Sequence, residues 1–213
     1  MNDSLHQLRR EYSRRSLNEQ DVDLNPFAQF GHWLDEAIRS EMIEPNAMIL
    51  ATASADALPS ARVVLLKGFD ERGFLFFTNY ESRKAEELRK NPQAALLFYW
   101  GELSRQVRIE GTVEVASREE SGEYFRTRPI ESRIGAWASK QSSVIPGRAF
   151  LEEQVNRIKQ QFPDDEVPLP PFWGGFRLKP AAFEFWQGRE NRLHDRLRYS
   201  PKGGLWVIER LSP

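Results

Sequence analysis

The spacing of apolar residues predicts a chain of mainly β-strands with helices inserted between them. After the helix-start pair Asn25-Pro26, apolar residues recur at helical spacing as far as Met42 and predict a core-packing helix. Short β-branched and aromatic runs predict strands at residues 47–54, 62–69, 73–79, 93–100, 105–116, 175–187, 192–199 and 205–210. Further helices are predicted at residues 4–14, after Ser82, and at residues 118–127, 131–139 and 150–162. Without regular β-α-β alternation, this order favours a single antiparallel barrel with peripheral helices.

A predicted hairpin followed by a helix is the stretch that first indicates function. Residues 62–69 and 73–79 are joined by a loop that contains Gly73, which is typical of a β-hairpin. Ser82 is a helix-capping residue, and Arg83 and Lys84 fill the first turn. Two cations there oppose the helix dipole unless an anion binds, in which case they and the free backbone N–H groups converge on it. We therefore predict a phosphate site at this helix end.

Arg62 and Lys67 add a second argument about anions. They are five residues apart, so in a regular strand they point to opposite faces. The intervening Val63, Val64, Leu65 and Leu66 read as a strand buried on both sides, and buried cations need partners. This pattern predicts two separate anionic sites. The alternative is a pair of strand-end residues that reach solvent or a glutamate.

Composition narrows the class of protein. The 213 residues carry 30 basic and 31 acidic side chains, which argues against a nucleic-acid binder driven by bulk charge. The basic residues comprise 23 Arg and 7 Lys, and Arg is the residue of bidentate anion recognition. There is no Cys, and the three His residues are too scattered for a metal cluster. Because the pattern has no long apolar run and no secretory signal, we expect a cytoplasmic protein that does not bind membranes.

Three polar groupings are further candidates for site residues. Arg192, His194, Arg196 and Arg198 alternate in RLHDRLRY and would share one face of a strand, although an exposed edge strand explains the same pattern. Tyr124, Arg128 and Ser132 are four residues apart around a helix break at Pro129 and would suit a phosphate. Gln106, Gln141 and Ser142 offer amide and hydroxyl groups suited to a heterocycle edge, or are ordinary surface residues.

Seven motifs, in order along the chain, resemble the pyridoxine (pyridoxamine) 5′-phosphate oxidase family. They are RVVLLKGF, FFTNYESRKAEEL, the pair Tyr124 and Arg128, IGAWASKQSS, PPFWGGFRLKP, FWQG and RLHDR. The resemblance implies an FMN-binding split barrel over residues 21–213, with dimerisation strands at the C-terminus and an N-terminal arm over residues 1–20. It implies a homodimer with FMN at the subunit interface. The implied reaction oxidises pyridoxine 5′-phosphate and pyridoxamine 5′-phosphate to pyridoxal 5′-phosphate, with O2 reduced to hydrogen peroxide.

The resemblance also assigns residues to ligands. The implied FMN contacts are Arg62, Val63, Val64, Leu65, Leu66, Lys67, Phe77, Thr78, Ser82, Arg83, Lys84, Gln106, Gln141, Ser142, Trp186 and Arg196, some of them from the partner subunit. The implied substrate contacts are Arg9, Tyr12, Lys67, Tyr124, Arg128, Ser132, Arg192 and His194. Arg192 and His194 would face the reacting carbon. Competing hypotheses are a split-barrel flavin enzyme with another substrate, a non-catalytic carrier of FMN or pyridoxal phosphate, and a barrel that binds RNA.

Overall fold

The computed structural model describes residues 15–213, in which strands predominate. The helices are α1 (Pro26–Arg39), α2 (Arg83–Lys90), α3 (Arg118–Thr127), α4 (Ile130–Ala138) and α5 (Arg148–Gln161). The strands are β1 (Ala47–Ala53), β2 (Pro59–Leu65), β3 (Gly68–Asp70), β4 (Gly73–Asn79), β5 (Gln93–Trp100), β6 (Arg105–Val115), β7 (Trp173–Gln187), β8 (Asp195–Lys202) and β9 (Leu205–Arg210). Short 3-10 turns occupy Gly101–Leu103 and Glu190–Arg192. No helix among the described residues is long and apolar enough to cross a membrane.

The strands form one curled sheet, which confirms the predicted mainly β fold. Its order is β2-β1-β5-β6-β7-β4-β3, and β8 pairs with both β7 and β9. The β3–β4, β4–β7, β7–β8 and β8–β9 pairs are all antiparallel. The described residues divide into two compact units, one with residues 51–94 and 112–179 and the other with residues 15–50, 95–111 and 180–213. The expectation of a single domain over residues 21–213 stays a prediction.

The unit that includes residues 15–50, 95–111 and 180–213 has an aromatic core built on α1. The helix begins as predicted, because Asn25 Oδ1 accepts a hydrogen bond from the Phe27 backbone N–H at 2.9 Å. Phe30 packs edge-on against Phe98 with 4.9 Å between ring centroids, and Trp33 packs similarly against Phe185 at 5.2 Å. Phe30, Trp33, Leu34 and Ala37 are buried, as predicted, but the helix ends at Arg39, before Met42, and Ile38 is exposed.

The unit formed by residues 51–94 and 112–179 contains the predicted hairpin and helices α2 to α5. The β3–β4 hairpin pairs Asp70 with Gly73, and Gly73 has φ +131°. A Cβ atom at Gly73 would lie 2.1 Å from the carbonyl oxygen of Leu178, so only glycine fits there. Phe125, Ile134, Val167 and Trp173 form a buried cluster that packs α3 and α4 onto β7. This packing fixes the corner at which α3 ends and α4 begins.

The prediction of one strand over residues 62–69 is wrong at its C-terminal end. Strand β2 ends at Leu65, so Arg62 and Lys67 are not on opposite faces of one strand. It is also the terminal strand of the sheet order, and Val63 is 65% exposed, so it is not buried on both sides. The backbone resumes regular pairing only at Gly68, after Leu66 and Lys67.

The alternating motif RLHDRLRY is also not a continuous strand. Asn191 and Arg192 both have positive φ, 55° and 60°, in the turn that reverses the chain before β8. Strand β8 begins at Asp195, so Arg192 and His194 do not share a strand face with Arg196 and Arg198. Leu193 is exposed for the same reason.

Candidate active site

A cavity of about 940 Å³ lies within the unit that contains α2 to α5. Its walls come from β2, β4, the start of α2, the corner between α3 and α4, and the loop after α4. The predicted site residues that line it are Arg62, Val63, Val64, Leu65, Lys67, Phe77, Thr78, Arg83, Lys84, Tyr124, Arg128, Ser132, Gln141 and Ser142. Leu66 and Ser82 are buried and do not line it. Most of the predicted cofactor and substrate residues of this unit are therefore brought together.

One end of the cavity is the N-terminus of α2, where a cation is held by neutral acceptors. Lys84 Nζ lies 2.9 Å from Gln141 Oε1 and 3.1 Å from Thr78 Oγ1. The backbone N–H of Arg83 donates to Ser142 Oγ at 3.2 Å. Ser82 precedes the helix as predicted, but its hydroxyl donates to the carbonyl of Asn79 instead of capping α2. Burial, followed by the positive charge of Arg62, lowers the pKa of Lys84 to about 8.

A buried carboxylate lies behind this cationic end. Glu87 Oε1 accepts a hydrogen bond from Arg83 Nε at 2.8 Å, and Glu87 Oε2 lies 3.3 Å from Arg62 Nη2. Arg62 and Arg83 are therefore tied to the same side chain, and with Lys84 they bring three cations to one end of the cavity. Arg62 does reach a glutamate, as one of the two initial interpretations expected.

The second cationic group is Lys67 and Arg128. The Arg128 guanidinium carbon lies 4.7 Å from the centroid of the Trp173 ring. Its Nη1 atom is buried and has no hydrogen-bond partner among residues 15–213, and burial lowers the pKa of the guanidinium. Lys67 Nζ lies 5.8 Å from the centroid of Tyr124, whose ring stacks on Phe77 at 4.1 Å. An unpaired buried guanidinium nitrogen is costly, and an anion bound at this group would satisfy it.

The α3–α4 corner positions the second group as the sequence predicted. Arg128 has ψ 144° because the following Pro129 disfavours a helical conformation. Helix α4 then restarts at Ile130 and presents Ser132 to the cavity. Tyr124, Arg128 and Ser132 consequently line one wall without sharing a continuous helix.

The other unit contains five of the predicted site residues, Gln106, Trp186, Arg192, His194 and Arg196. The Trp186 and His194 rings lie 4.6 Å apart, and Trp186 is opposite Arg196 in the β7–β8 register. The Arg189 backbone N–H donates to His194 Nδ1 at 3.1 Å. Burial lowers the pKa of His194, and the charge of Arg192 lowers it further. Arg196 Nε donates to Glu184 at 2.9 Å, and Gln106 is half-buried on β6.

Some residues fall outside the site predictions or outside the part of the chain that the structure describes. Arg9 and Tyr12 lie outside the described residues. Trp173 and Glu87 were not singled out from the sequence, although Trp173 lines the cavity. The two glycines that follow Trp173 allow close packing, since a Cβ at Gly174 would lie 2.2 Å from the Tyr80 hydroxyl. No sequence pattern singled out Trp173 or Glu87 as site residues.

Comparison with known proteins defines the fold class first. The structure aligns with an FMN-binding, pyridoxamine 5′-phosphate oxidase-related protein from Nostoc punctiforme at a TM-score of 0.71. The alignment covers 90% of this chain and 100% of that one at 19% identity, so it supports a shared fold. The fold is therefore that of the split-barrel proteins, as the sequence predicted.

The family follows from sequence. A family model described as pyridoxamine 5′-phosphate oxidase matches residues 34–162, and one for the pyridoxine 5′-phosphate oxidase C-terminal dimerisation region matches residues 173–213. A pyridoxine/pyridoxamine 5′-phosphate oxidase from Paraburkholderia phymatum is 60% identical over 211 residues, covering 99% of each chain. One from Rubrobacter xylanophilus is 57% identical over 206 residues, covering 97% of this chain and 95% of the other. The chain belongs to the pyridoxine/pyridoxamine 5′-phosphate oxidase family.

A further solved relative was crystallised with a ligand that carries no phosphate. PhzG from Burkholderia lata, solved in complex with tetrahydrophenazine-1-carboxylic acid, is 32% identical to this chain with a TM-score of 0.89. The alignment covers 95% of this chain and 100% of PhzG. Similarity to known proteins alone therefore does not choose between ligands with and without a phosphate.

Proposed function

We propose that this chain uses FMN to oxidise pyridoxine 5′-phosphate and pyridoxamine 5′-phosphate to pyridoxal 5′-phosphate, with O2 reduced to hydrogen peroxide. The observation that carries this proposal is the presence of two cationic groups in one cavity, Arg62 with Arg83 and Lys84, and Lys67 with Arg128. FMN and the substrate each carry one phosphate monoester, with a charge of about −1.5 to −2 near neutral pH. Two groups of cations match two phosphates.

The group at the N-terminus of α2 suits the phosphate of FMN. Arg83 and Lys84 fill the first helical turn, and Thr78, Gln141 and Ser142 surround them with hydroxyl and amide groups. A cavity of about 940 Å³ is large enough for a flavin and a second small ring. Bound FMN would supply the redox chemistry that hydride removal from the substrate and reduction of O2 require.

The group at the α3–α4 corner suits the substrate phosphate. Arg128 Nη1 is buried without a hydrogen-bond partner in the described part of the chain, so a phosphate oxygen would satisfy it. Lys67 and the hydroxyls of Tyr124 and Ser132 line the same cavity and add donors for the remaining oxygens. The Arg128 guanidinium packs on the Trp173 ring through a cation–π contact, with 4.7 Å from the guanidinium carbon to the ring centroid. These residues bind and orient the substrate.

We assign the rest of the site to a second copy of the chain. Trp186, Arg192, His194 and Arg196 all lie in the segment that matches the family's dimerisation region, residues 173–213. In the proposed homodimer these residues and Gln106 face the FMN and the pyridine ring of the partner subunit. Arg192 and His194 together orient that ring and help remove a proton from the 4′ substituent. The lowered pKa of His194 leaves it mostly neutral near pH 7, as a proton acceptor must be.

The resemblance to PhzG supplies a second candidate, a flavin enzyme that takes a ring carboxylic acid without a phosphate. The Lys67–Arg128 wall favours the phosphate ligand. A phosphate offers three terminal oxygens, which matches two cations and two hydroxyls better than the two oxygens of a carboxylate do. The relatives that are 57% and 60% identical also carry the oxidase name.

Turnover of matched substrates tests the proposed function. We expect the purified chain to be yellow, to release FMN on denaturation, and to form hydrogen peroxide from pyridoxine 5′-phosphate but not from pyridoxine. Pyridoxine 5′-phosphate and pyridoxine differ only in the phosphate, so a difference in turnover measures the need for that group. Protein that is colourless and cannot be reconstituted with FMN would contradict the proposal, and oxidation of tetrahydrophenazine-1-carboxylic acid in preference to both would favour the second candidate.

FMN affinity should also depend on pH through Lys84. A bound phosphate raises the pKa of Lys84 from about 8, so binding takes up a proton and weakens as pH rises above about 8. The neighbouring Glu87 stays ionised over this range because its pKa is about 2. We expect the Kd for FMN to rise by up to about tenfold per pH unit there, whereas the Kd for riboflavin should not change. A Lys84→Arg variant should lose this pH dependence, and its persistence in that variant would exclude Lys84 as the source.

A further inference from the structure

Glu87 is a buried carboxylate whose two oxygens are both used behind the cationic end of the cavity. Its side chain is 7% exposed. Oε2 accepts from Thr52 Oγ1 at 2.5 Å and from Ser60 Oγ at 2.6 Å, and lies 3.3 Å from Arg62 Nη2. Oε1 accepts from Arg83 Nε at 2.8 Å. One side chain on α2 therefore connects to β1, to β2 and to two arginines of the cavity wall.

These contacts keep Glu87 charged. Burial by itself would raise the pKa of Glu87, but hydrogen bonds from Ser60, Thr52 and Arg83, with the charge of Arg62, outweigh it and lower the pKa to about 2. Breaking this arrangement by removing one partner would leave buried charge uncompensated. Glu87 is consequently a fixed negative charge at every pH at which the protein would act.

The contacts also orient both guanidinium groups. Glu87 accepts a hydrogen bond from Nε of Arg83, and the terminal nitrogens of Arg83 have no hydrogen-bond partner within residues 15–213. Arg62 is held by Ser60 Oγ at 2.6 Å as well as by the carboxylate. The Arg83 side chain is 66% exposed and would otherwise sample many rotamers, which an anion would have to restrict on binding. Anchoring at Nε removes part of that entropic cost.

Glu87 also sets the charge that a ligand meets. It offsets one of the three positive charges of Arg62, Arg83 and Lys84, and the two that remain match a phosphate monoester of about −1.5 to −2. We propose that Glu87 is a positioning residue that orients Arg62 and Arg83 and balances their charge, so that this end of the cavity selects a phosphate-bearing flavin. The inference rests on the proposed function and extends it to a residue that does not line the cavity.

A pair of flavins separates positioning from general stability. We would measure the Kd of FMN and of riboflavin for the full chain stripped of flavin, for Glu87→Gln and for Glu86→Gln. Glutamine keeps the size but replaces one acceptor oxygen with a donor group, so Arg83 or the two hydroxyls lose their partner. We expect Glu87→Gln to weaken FMN about tenfold or more and to change riboflavin by no more than about twofold. Glu86 lies on the same helix, is 58% exposed and pairs with Lys90, so its variant should change neither Kd.

The alternative outcomes are distinct. Tighter FMN binding by Glu87→Gln would overturn the inference, because it would mean that bulk positive charge matters and orientation does not. An equal loss of both flavins would overturn it in favour of a purely structural role. If Glu87→Gln does not fold, Ser60→Ala removes a donor to the carboxylate, and it must weaken FMN more than riboflavin for the inference to stand. A wild-type chain that binds neither flavin contradicts the proposed function itself, whereas an unchanged FMN preference in Glu87→Gln contradicts only this inference.

Discussion

Replacing Arg128 with alanine should raise the KM for pyridoxine 5′-phosphate by about two orders of magnitude while FMN stays bound. The guanidinium is held against Trp173 with one buried nitrogen that has no hydrogen-bond partner in the described region, so it is prepared for the substrate phosphate. Charge-assisted hydrogen bonds contribute roughly 1.5–3 kcal/mol, and the upper value corresponds to about 150-fold in affinity. Because the lost contact is remote from the reacting carbon, KM should change more than kcat. Steady-state peroxide formation over a range of substrate concentrations measures both.

Arg126→Ala is the matched control for Arg128→Ala. Arg126 belongs to the same helix α3 but is exposed and does not line the cavity. Its replacement should leave KM, kcat and FMN content unchanged. Loss of FMN from Arg128→Ala, with an unchanged KM in the residual holoenzyme, would assign Arg128 to the flavin phosphate and contradict our division of the cavity.

Replacing Arg83 and Lys84 together with alanine should abolish tight FMN binding. Two of the three cations at this end would be lost, along with the Lys84 contacts to Thr78 and Gln141. Loss of two charge-assisted contacts is expected to weaken FMN by about a thousandfold, whereas riboflavin should be much less affected. Fluorescence titration of the stripped variant with each flavin measures this. At saturating FMN, the KM for pyridoxine 5′-phosphate should approach the wild-type value.

The opposite end of α2 provides a control with the same change in charge. Arg89 and Lys90 lie in the last turn, where Arg89 donates to the carbonyl of Tyr80 and Lys90 pairs with Glu86. The double variant Arg89→Ala with Lys90→Ala should keep FMN. Equal loss of FMN in both double variants would show that the net charge of the helix matters and the position of its cations does not.

Local signals in the sequence predicted much of the fold. Asn25-Pro26 starts α1 because the Asn25 side chain accepts the Phe27 N–H and Pro26 has no backbone N–H that needs an acceptor. Pro129 breaks the helix at Arg128 for a steric reason that involves only neighbouring residues. The hairpin at Gly73 was equally predictable, since a positive φ favours glycine.

The errors arise where tertiary structure overrides a periodic pattern. Side chains five residues apart, such as Arg62 and Lys67, point to opposite faces only in an unbroken strand. Strand β2 ends at Leu65, and both residues line one cavity. Alternation in RLHDR likewise predicted a strand face, whereas positive φ at Asn191 and Arg192 makes a turn. The existence of two anion sites stays a prediction, which the structure supports in another way, since the two cations join different groups of side chains within the cavity.

Glu87 could not be singled out from sequence for a related reason. In RKAEELRK it is one of two adjacent glutamates, and helical spacing places it four residues after Arg83 as an ordinary ion pair. Its burial depends on Thr52 and Ser60, which come from strands 35 and 27 residues away in the chain. Only the tertiary structure separates Glu87 from its exposed neighbour Glu86.

The proposed chemistry depends on two phosphates being bound by two different groups of cations in one cavity. Measuring FMN content and substrate KM on the same preparations of Arg128→Ala and of Arg83→Ala with Lys84→Ala tests this most directly. We predict a crossed pattern, in which the first variant retains FMN and has a raised KM, and the second loses FMN and regains a near-normal KM when FMN is supplied in excess. Reversed phenotypes, or loss of both properties in each variant, would contradict it.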